Sequence, residues 1–471
     1  MRIMDRIVIP HLLAPIWLRR NGVREFLTEY EQTQRWTAER LRELQRKRLQ
    51  AILEFAGENC PFYRDRFRGA GFDPRSLRSI EDLQRIPPLT KGDIRENFAD
   101  LQPPRLDPAS YVENFTGGST GSPLQFLVTK ERMASRNAST IRHDRWAGWN
   151  FGAPSGYIWG YPPDVPRPAL RERLTNTLFY RRTFLDTFEV KQEEVDQFLR
   201  WLRSEQDVVI VAYARSLLWF CEYLEERGLG GIPVRSAIMS AESVAPEERR
   251  FIEKVLGCRT FERYGCREFS VIASECEVRE GMHLCNETLL VEFDTDGRPA
   301  APGEPGEMLI TDLLNTAMPM IRYRIGDVGT LMAGECRCGR GLSRMAMVAG
   351  RLTDFIHTPE GRWVSGVAIN TYLVSKMPGA SQVQIRQDRC DHLRILVVPL
   401  EGRKEEAAGY LKLKIPQMFG GRMDYDLEWV DVIPREASGK YRVTVSACPA
   451  THGFSLGQES RLRLEPERNK R

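Results

Sequence analysis

The 471-residue chain carries 68 basic and 64 acidic side chains, which leaves a formal net charge of +4. A balance this close gives no indication of nucleic-acid binding, and we expect none. Although 42% of the residues are hydrophobic, enough for a sizeable core, no stretch approaches the roughly 20 apolar residues of a membrane-spanning helix, so we expect a cytoplasmic protein without a transmembrane segment.

The N-terminal part is expected to be helical. An apolar segment, Ile7–Trp17, is flanked by arginines; its two prolines favour an arm packed on the body over a segment resting on a membrane surface. Apolar residues recur at helical spacing over Glu31–Gly57, with Arg, Glu and Gln between them. This spacing predicts an exposed amphipathic helix, which Pro61 and the pair Pro87–Pro88 interrupt.

A glycine-rich segment between Asn114 and Pro123 has the chemistry of a phosphate loop. Its three glycines let successive main-chain N–H groups converge on an anion, and its hydroxyl side chains add donors. Ser122 and Pro123 replace the Lys–Ser/Thr ending of a mononucleotide P-loop, and a flexible turn is the alternative. The predicted phosphate ligands are Thr116, Gly117, Gly118, Ser119, Thr120 and Gly121.

The middle of the chain alternates strand-like and helix-like runs. Strands are predicted at Tyr157–Gly160, Val208–Tyr213, Ala237–Met239, Leu289–Phe293 and Met308–Thr311. Helices are predicted at Gln192–Arg203 and Pro246–Leu256. Alternation of this kind favours an α/β body with mixed sheets flanked by helices.

Three motifs follow the glycine-rich segment. They are Glu-Arg-Tyr-Gly-Cys-Arg-Glu at Glu262–Glu268, a segment at Met320–Asp327 that leads on to Gly350–Arg351, and Ala-Ser-Gly-Lys-Tyr-Arg at Ala437–Arg442. In this order and spacing the four segments resemble the adenylate-forming superfamily, most closely its phenylacetate–CoA ligase-like branch with the capsule-biosynthesis homologues. The resemblance spans the chain from about Leu49 to Arg442.

The resemblance implies a large N-terminal AMP-binding domain over residues 1–349, with the helical arm, and a small α+β mobile lid over residues 350–460. The charged tail, residues 461–471, is expected to be disordered. The implied reaction is ATP-dependent activation of a carboxylic acid as acyl-AMP with pyrophosphate release, followed by transfer to a thiol of coenzyme A or an acyl carrier protein. Adenylation coupled to amide formation, in capsule or secondary-metabolite biosynthesis, and a non-catalytic nucleotide-binding homologue are the alternatives. A homodimer is compatible with the sequence.

The resemblance also assigns roles to single residues. It implies that Lys440 neutralises charge at the α-phosphate as a catalytic group and that Glu268 holds Mg²⁺. Three residues depart from the family pattern: Ser122 stands where many relatives carry a lysine, Arg267 in place of a threonine, and Thr353 in place of an acidic or lysine hinge residue. The implied nucleotide ligands are Tyr264 and Gly265 at the adenine, Ser240, Ala241 and Glu242 on its other face, Asp327 at the ribose and Arg351.

Ten cysteines in a chain with these features do not indicate a disulfide framework. Soft thiolates with an imidazole suit tetrahedral zinc, and the candidate ligands are Cys276, His283, Cys336 and Cys338. By spacing alone, buried cysteines without a metal are equally well supported. The same arrangement in the family favours a structural zinc site. A thiol-dependent or catalytic zinc centre would need an open metal position or a reactive thiolate.

Aromatic residues indicate where the acid binds. The stretch Trp146–Tyr161 and the neighbourhood of Tyr213 are expected to line the acyl pocket, and an aromatic lining suits an aryl or arylacetic acid. Ordinary core positions are the alternative for such residues. The candidate wall residues are Trp149, Phe151, Trp159 and Tyr161.

Overall fold

The computed structural model describes residues 13–115, 124–159, 176, 180–187, 190–241, 244, 246–295, 297–349, 352–353, 356–359, 363–364, 366, 369–370, 373–433 and 442–446. Residues 13–20 are helical. The α-helices that follow, numbered α1 to α9 in chain order, are Val23–Thr33, Ala38–Asn59, Pro61–Gly69, Lys91–Glu96, Lys130–Trp146, Gln192–Ser204, Ala214–Glu226, Pro246–Leu256 and Lys404–Phe419. Short 3₁₀ helices cover Pro74–Ser76, Ile80–Arg85, Pro108–Ser110 and Val374–Lys376.

The single helix predicted over Glu31–Gly57 is wrong, because this stretch contains parts of two helices. Helix α1 ends at Thr33 and α2 begins at Ala38. The Thr37 side chain accepts a hydrogen bond from the main-chain N–H of Arg40, which caps the start of α2. Apolar periodicity continues across the corner, so the pattern alone could not place the break.

Most strands belong to one large sheet. The strands, numbered β1 to β21, are Tyr111–Phe115, Gln125–Thr129, Ser155–Trp159, Arg182–Asp186, Val208–Tyr213, Val234–Ser240, Arg259–Cys266, Ser270–Glu275, Met282–Leu284, Leu289–Thr295, Arg298–Pro299, Pro305–Asp312, Tyr323–Met332, Arg344–Ala349, Leu352–Thr353, Ile356–His357, Trp363–Val364, Ala380–Arg389, His392–Pro399, Asp424–Trp429 and Arg442–Ser446. A 12-stranded sheet has the order β11-β10-β12-β13-β14-β9-β8-β7-β6-β5-β3-β4. Neighbours from β4 to β7 pair in parallel, and the remaining neighbours pair antiparallel.

The predicted strands and helices of the middle of the chain are confirmed. Val208–Tyr213 and Pro246–Leu256 have the predicted bounds, and each of the other predicted strands overlaps a strand of the large sheet. Strand β5 is buried along its whole length. Ile210 packs with α6 and α7 on one face, while Val209 packs on the other face with residues of α1 and α5. Burial on both faces explains why this parallel strand reads as an unbroken apolar run.

The C-terminal part has its own sheet and core. Its five strands have the order β15-β21-β18-β19-β20, and helix α9 packs Ala407, Leu411 and Ile415 against them in one buried cluster. The predicted fold class, an α/β body with an additional C-terminal α+β unit, is confirmed. The boundary at residue 350 and the mobility of the lid stay predictions, and the tail at 461–471 lies outside the described residues.

No helix in the described parts of the chain is both long and apolar enough to cross a bilayer.

Candidate functional site

The candidate nucleotide residues meet at one edge of the large sheet. Strands β3, β5, β6 and β7 run parallel and end at Trp159, Tyr213, Ser240 and Cys266. Strands β5 and β6 end level, since Tyr213 pairs with Ser240, and β7 continues past Arg263, the partner of Ser240, to Cys266. In open α/β sheets the ligand crevice lies outside the carboxyl ends of the parallel strands. We call this region, together with the side chains that reach it from β13, the nucleotide edge.

Tyr264, near the end of β7, contacts Asp327 in β13. The Tyr264 hydroxyl donates a hydrogen bond of 2.7 Å to Asp327 Oδ2. Four steps separate β7 from β13 in the strand order, a span of roughly 19 Å in a flat sheet at about 4.8 Å per step. The contact therefore requires that this end of the sheet rolls over on itself. Two motifs far apart in the sequence are brought to one place by that roll.

The Tyr264 phenol stays protonated in this pair. Burial, reinforced by the Asp327 charge, raises the pKa of Tyr264 well above its usual value. A neutral phenol that faces a carboxylate must donate, so the carboxylate accepts. Asp327 keeps the lone pairs that a ribose diol would need, because an ionised carboxylate has about four acceptor positions.

Glu268 lies in the turn between β7 and β8 and is 7% exposed. The hydroxyl of Tyr323, a wholly buried residue of β13, donates a hydrogen bond of 3.1 Å to Glu268 Oε1. Carboxylate oxygen is the ligand type that Mg²⁺ prefers, so Glu268 fits its predicted role. The sequence interpretation missed Tyr323, whose single signal was its place in the Arg-Tyr-Arg segment.

A buried arginine supports the turn that carries Glu268. The guanidinium of Arg136, on α5, donates to the main-chain oxygens of Arg267, at 3.4 Å, and Glu268. Burial, with repulsion from Arg132, lowers the pKa of Arg136 to about 10. Asp312 balances part of this charge, with Oδ2 4.0 Å from Arg136 Nη2 and both oxygens 2.8 Å from Arg132 Nε. No sequence signal pointed to Arg136.

The main chain is constrained at two positions of the nucleotide edge. A Cβ on Gly265 would lie 2.3 Å from the carbonyl oxygen of Ser270, so the β7–β8 hairpin itself requires glycine. Ala241, directly after β6, has φ 70°, a left-handed conformation that is uncommon for a residue with a Cβ. Strained turns of this kind concentrate at ligand sites. Ser240 pairs with Arg263, the residue before Tyr264, and the place of Ser240 and Ala241 along the adenine stays a prediction.

Four residues form a second candidate site, which we call the cysteine–histidine centre. The ligand atoms of Cys276, His283, Cys336 and Cys338 all lie within 4.8 Å of one another. Cys276 Sγ is 3.8 Å from Cys336 Sγ, and Cys338 Sγ is 3.3 Å from His283 Nε2. Tetrahedral zinc, with bonds of about 2.3 Å to sulfur and about 2.0 Å to nitrogen, places its ligand atoms roughly 3.5–3.8 Å apart. The spacing therefore fits a closed tetrahedral ion.

The surroundings of the centre orient its ligands. His283 Nδ1 lies 3.1 Å from the carbonyl oxygen of Leu342, which can only accept, so Nδ1 carries the proton and Nε2 is left to bind a metal. Arg340 donates its main-chain N–H to Cys338 Sγ at 3.4 Å. A Cβ on Gly341 would lie 1.9 Å from the carbonyl oxygen of Trp36. The ligand loop is thus fitted against the corner between α1 and α2.

One family model and several curated proteins match this chain. The model of the CapK C-terminal domain matches residues 356–447. A phenylacetate–coenzyme A ligase of Thermus thermophilus is 29% identical over 330 residues, 68% of this chain and 72% of the relative. The enzyme of the same name from Escherichia coli K12 is 27% identical over 429 residues, 86% and 95% of the two chains. Protein CapK of Staphylococcus aureus is 20% identical over 422 residues, 86% and 89%.

A solved structure supports the fold. The 2-hydroxyisobutyryl-CoA ligase in complex with 2-HIB-AMP and CoA superposes with a TM-score of 0.59 at 21% identity, covering 88% of this chain and 91% of that one. The chain resembles enzymes of the adenylate-forming superfamily over most of its length. Its curated relatives include phenylacetate–CoA ligases and CapK. The predicted family and the predicted enzyme class, an adenylate-forming ligase, are confirmed.

The structure places the aromatic residues that were predicted to line the acyl pocket at two different edges of the large sheet. The rings of Trp159 and Tyr213 lie 3.8 Å apart between centroids at the carboxyl ends of β3 and β5, next to the nucleotide edge. Trp149 and Phe151 precede β3 at the opposite edge and are buried in the core with α1 and α5. They are core residues, so their predicted place in the pocket is wrong. Tyr161 lies outside the described residues.

Several predicted site residues of the adenylate-forming family lie outside the described residues. Strands β1 and β2, which pair from Phe115–Gln125 outward, flank the predicted phosphate loop. The predictions for the loop, for the adenine turn, for the hinge and for catalysis stay predictions. The residues concerned are Thr116, Gly117, Gly118, Ser119, Thr120, Gly121, Glu242, Arg351 and Lys440.

Proposed function

We propose that this chain activates a carboxylic acid with ATP, forming acyl-AMP and releasing pyrophosphate, and then transfers the acyl group to the thiol of coenzyme A. The observation that carries the proposal is the convergence of Tyr264, Asp327 and Glu268 at the carboxyl ends of the parallel strands. The relatives named phenylacetate–coenzyme A ligase support it.

Each residue has a defined task in this proposal. The Tyr264 ring stacks on adenine, and Asp327 accepts hydrogen bonds from the ribose hydroxyls. Glu268 would hold Mg²⁺, which when bound neutralises the charge of the phosphate oxygens. Lys440 then stabilises the charge that develops as the substrate carboxylate attacks the α-phosphate.

We propose an aryl or arylacetic acid as the substrate. Trp159 and Tyr213 support this assignment, because the two rings pack against each other, tilted by 31°, at the carboxyl ends of β3 and β5, on the side of β6 away from β7. A flat apolar ring bound there would pack against this aromatic pair while its carboxylate lies toward the nucleotide edge.

We further propose that the cysteine–histidine centre holds a structural Zn²⁺. Four protein ligands at tetrahedral spacing leave no position for a substrate. The same geometry argues against a thiol-dependent enzyme, since a saturated site offers no reactive thiolate. Elemental analysis of protein purified without added metal should find stoichiometric zinc, and its absence would refute the assignment.

The reaction is tested by acid-dependent release of pyrophosphate from Mg·ATP across aryl, arylacetic, fatty and amino acids. We expect release with one acid class, and a loss of about 10²–10³-fold in rate in Lys440→Ala, the effect typical of one preorganised charge contact. Lys412→Ala, an exposed lysine of the same C-terminal unit, is the matched control and should keep full activity.

The acceptor is tested in the same assay. Adding coenzyme A should convert the adenylate to a thioester detectable by mass spectrometry. A thioester formed only with a carrier protein, or an amide formed only with an amine, would replace coenzyme A as the acceptor. Silence across all acids with Mg·ATP still bound would contradict the proposed reaction and favour a nucleotide-binding homologue without catalysis.

A further inference from the structure

Two tyrosine hydroxyls join the β7–β8 hairpin to β13 in a crossed arrangement. Tyr264 of the hairpin donates to Asp327 of β13, at 2.7 Å. Tyr323 of β13 donates to Glu268 of the hairpin, at 3.1 Å. Each hydrogen bond has its tyrosine donor on one segment and its carboxylate acceptor on the other. The two bonds therefore hold the hairpin and β13 together at the nucleotide edge.

We propose that the two hydroxyls are positioning groups with separate tasks: Tyr323 sets Glu268 for the magnesium ion of Mg·ATP, and Tyr264 sets Asp327 for the ribose. This inference rests on the proposed function only in taking Mg·ATP as the ligand. Beyond that function, it assigns a role to Tyr323 and gives the two hydroxyls separate tasks.

The surroundings of Glu268 show how Tyr323 acts. Tyr323 is wholly buried, and its ring centroid lies 5.9 Å from that of Phe269, so the hydroxyl has little freedom to move. Arg136 holds the main-chain oxygen of Glu268 from the other side. The backbone is therefore anchored by one group and the carboxylate by another. A ligand oxygen ordered before the ion arrives reduces the entropy that binding must remove.

The Tyr264–Asp327 pair has the same design at a different place. Tyr264 supplies a charge-assisted hydrogen bond from a protonated phenol. Asp327 is half-buried, so one of its oxygens is fixed by the phenol while the carboxylate stays accessible to a ligand. The pair therefore fixes the acceptor for a sugar diol without touching Glu268.

The test uses phenylalanine at each tyrosine, which keeps the ring and removes only the hydroxyl. Binding of ATP and of 2′-deoxyATP is measured by calorimetry at increasing Mg²⁺, without acid substrate, so no turnover is needed. We expect Tyr323→Phe to raise the Mg²⁺ concentration for half-maximal ATP binding about tenfold, as for loss of an outer partner of a metal ligand. Its preference for ATP over 2′-deoxyATP should stay unchanged.

Tyr264→Phe should give the opposite result. We expect it to lose most of the preference for ATP over 2′-deoxyATP, about a 5- to 10-fold effect for one hydrogen bond, with the Mg²⁺ dependence unchanged. Tyr63→Phe is the matched structural control, because it removes a wholly buried hydroxyl that donates to the carbonyl oxygen of Pro319 at 2.8 Å. This control should lower the melting temperature and leave both binding readouts in place.

Double variants show whether each tyrosine acts through its carboxylate. Tyr323→Phe should add no further Mg²⁺ effect in a Glu268→Gln background, and Tyr264→Phe should add no further nucleotide effect in Asp327→Asn. Additive effects, or Tyr323→Phe shifting both readouts together or neither, would overturn the inference. Wild-type protein that binds Mg·ATP but releases no pyrophosphate would refute the proposed reaction alone. Wild-type protein with no magnesium-dependent binding of ATP would overturn both.

Discussion

The nucleotide edge and the cysteine–histidine centre lie on the same sheet, yet they use their polar groups in opposite ways. At the nucleotide edge, Asp327 and Glu268 each take one hydrogen bond from a tyrosine hydroxyl and keep further acceptor positions for a ligand. At the centre, four ligand atoms face one another and leave no position open. The comparison teaches that unfilled coordination, rather than burial or polarity, separates a site for a ligand from a site that holds the fold.

The largest effect is expected from a substitution that removes a ligand of the cysteine–histidine centre. Cys336→Ser removes one of four ligands, and structural zinc sites contribute about 10–16 kcal/mol of apparent binding free energy. We expect loss of zinc by elemental analysis and the greatest loss of thermal stability among the substitutions considered. Cys258→Ser, at a half-buried free cysteine outside the centre, should keep both the zinc and the thermal stability. A Cys336→Ser protein that melts like the wild type would show that the centre does not stabilise the fold.

The next effect concerns the buried support of the nucleotide edge. Asp312→Asn leaves Arg132 and Arg136 buried without their carboxylate, and breaking a buried pair typically costs about 3–5 kcal/mol. Denaturant unfolding should show a loss of free energy of unfolding in this range. Arg298→Gln breaks the exposed pair with Glu304 and should leave the free energy of unfolding nearly unchanged. Equal losses in both variants would contradict the role given to Asp312.

The smallest effect tests the hairpin. Gly265→Ala places a Cβ 2.3 Å from the Ser270 carbonyl oxygen, and overpacking of this kind costs about 1–3 kcal/mol. Because the turn also carries Glu268, we expect weaker binding of Mg·ATP in calorimetry along with reduced stability. Gly409→Ala, at a helix position with no atom within 4 Å of the added Cβ, should instead stabilise by up to about 1 kcal/mol. Unchanged binding of Mg·ATP in Gly265→Ala would contradict the role of the hairpin in the nucleotide edge.

The sequence was most informative where local pattern decides structure. The strand at Val208–Tyr213 and the helix at Pro246–Leu256 begin and end at the predicted residues, because an unbroken apolar run and an amphipathic period are local signals. The break between α1 and α2 at Thr37 was not predicted, because apolar periodicity carries no information about a helix cap. The cysteine–histidine set was found because ligand type is visible in sequence, and the structure brings all four residues together.

The contacts of the nucleotide edge could not be predicted in the same way. Tyr264 and Asp327 meet only because the sheet rolls through four strand steps, and no local pattern encodes such a roll. The role of Arg136 could not be predicted, because its hydrogen-bond partners are main-chain oxygens, which every residue has. Trp149 and Phe151 were placed in the acyl pocket by residue type alone, although their position before β3 puts them at the opposite edge of the sheet.

Helix α5 has a consequence for the order in which the chain folds during synthesis. Its buried Arg132 and Arg142 find their carboxylates in Asp312 and Glu287, which lie 180 and 145 residues later in the chain. Until those residues leave the ribosome, α5 cannot enter the interior without burying two unpaired charges. Contacts of such sequence separation form slowly. We therefore expect nascent chains that end before Asp312 to keep α5 exposed and to depend on chaperones, with the helix docking only after the β12 strand has been made.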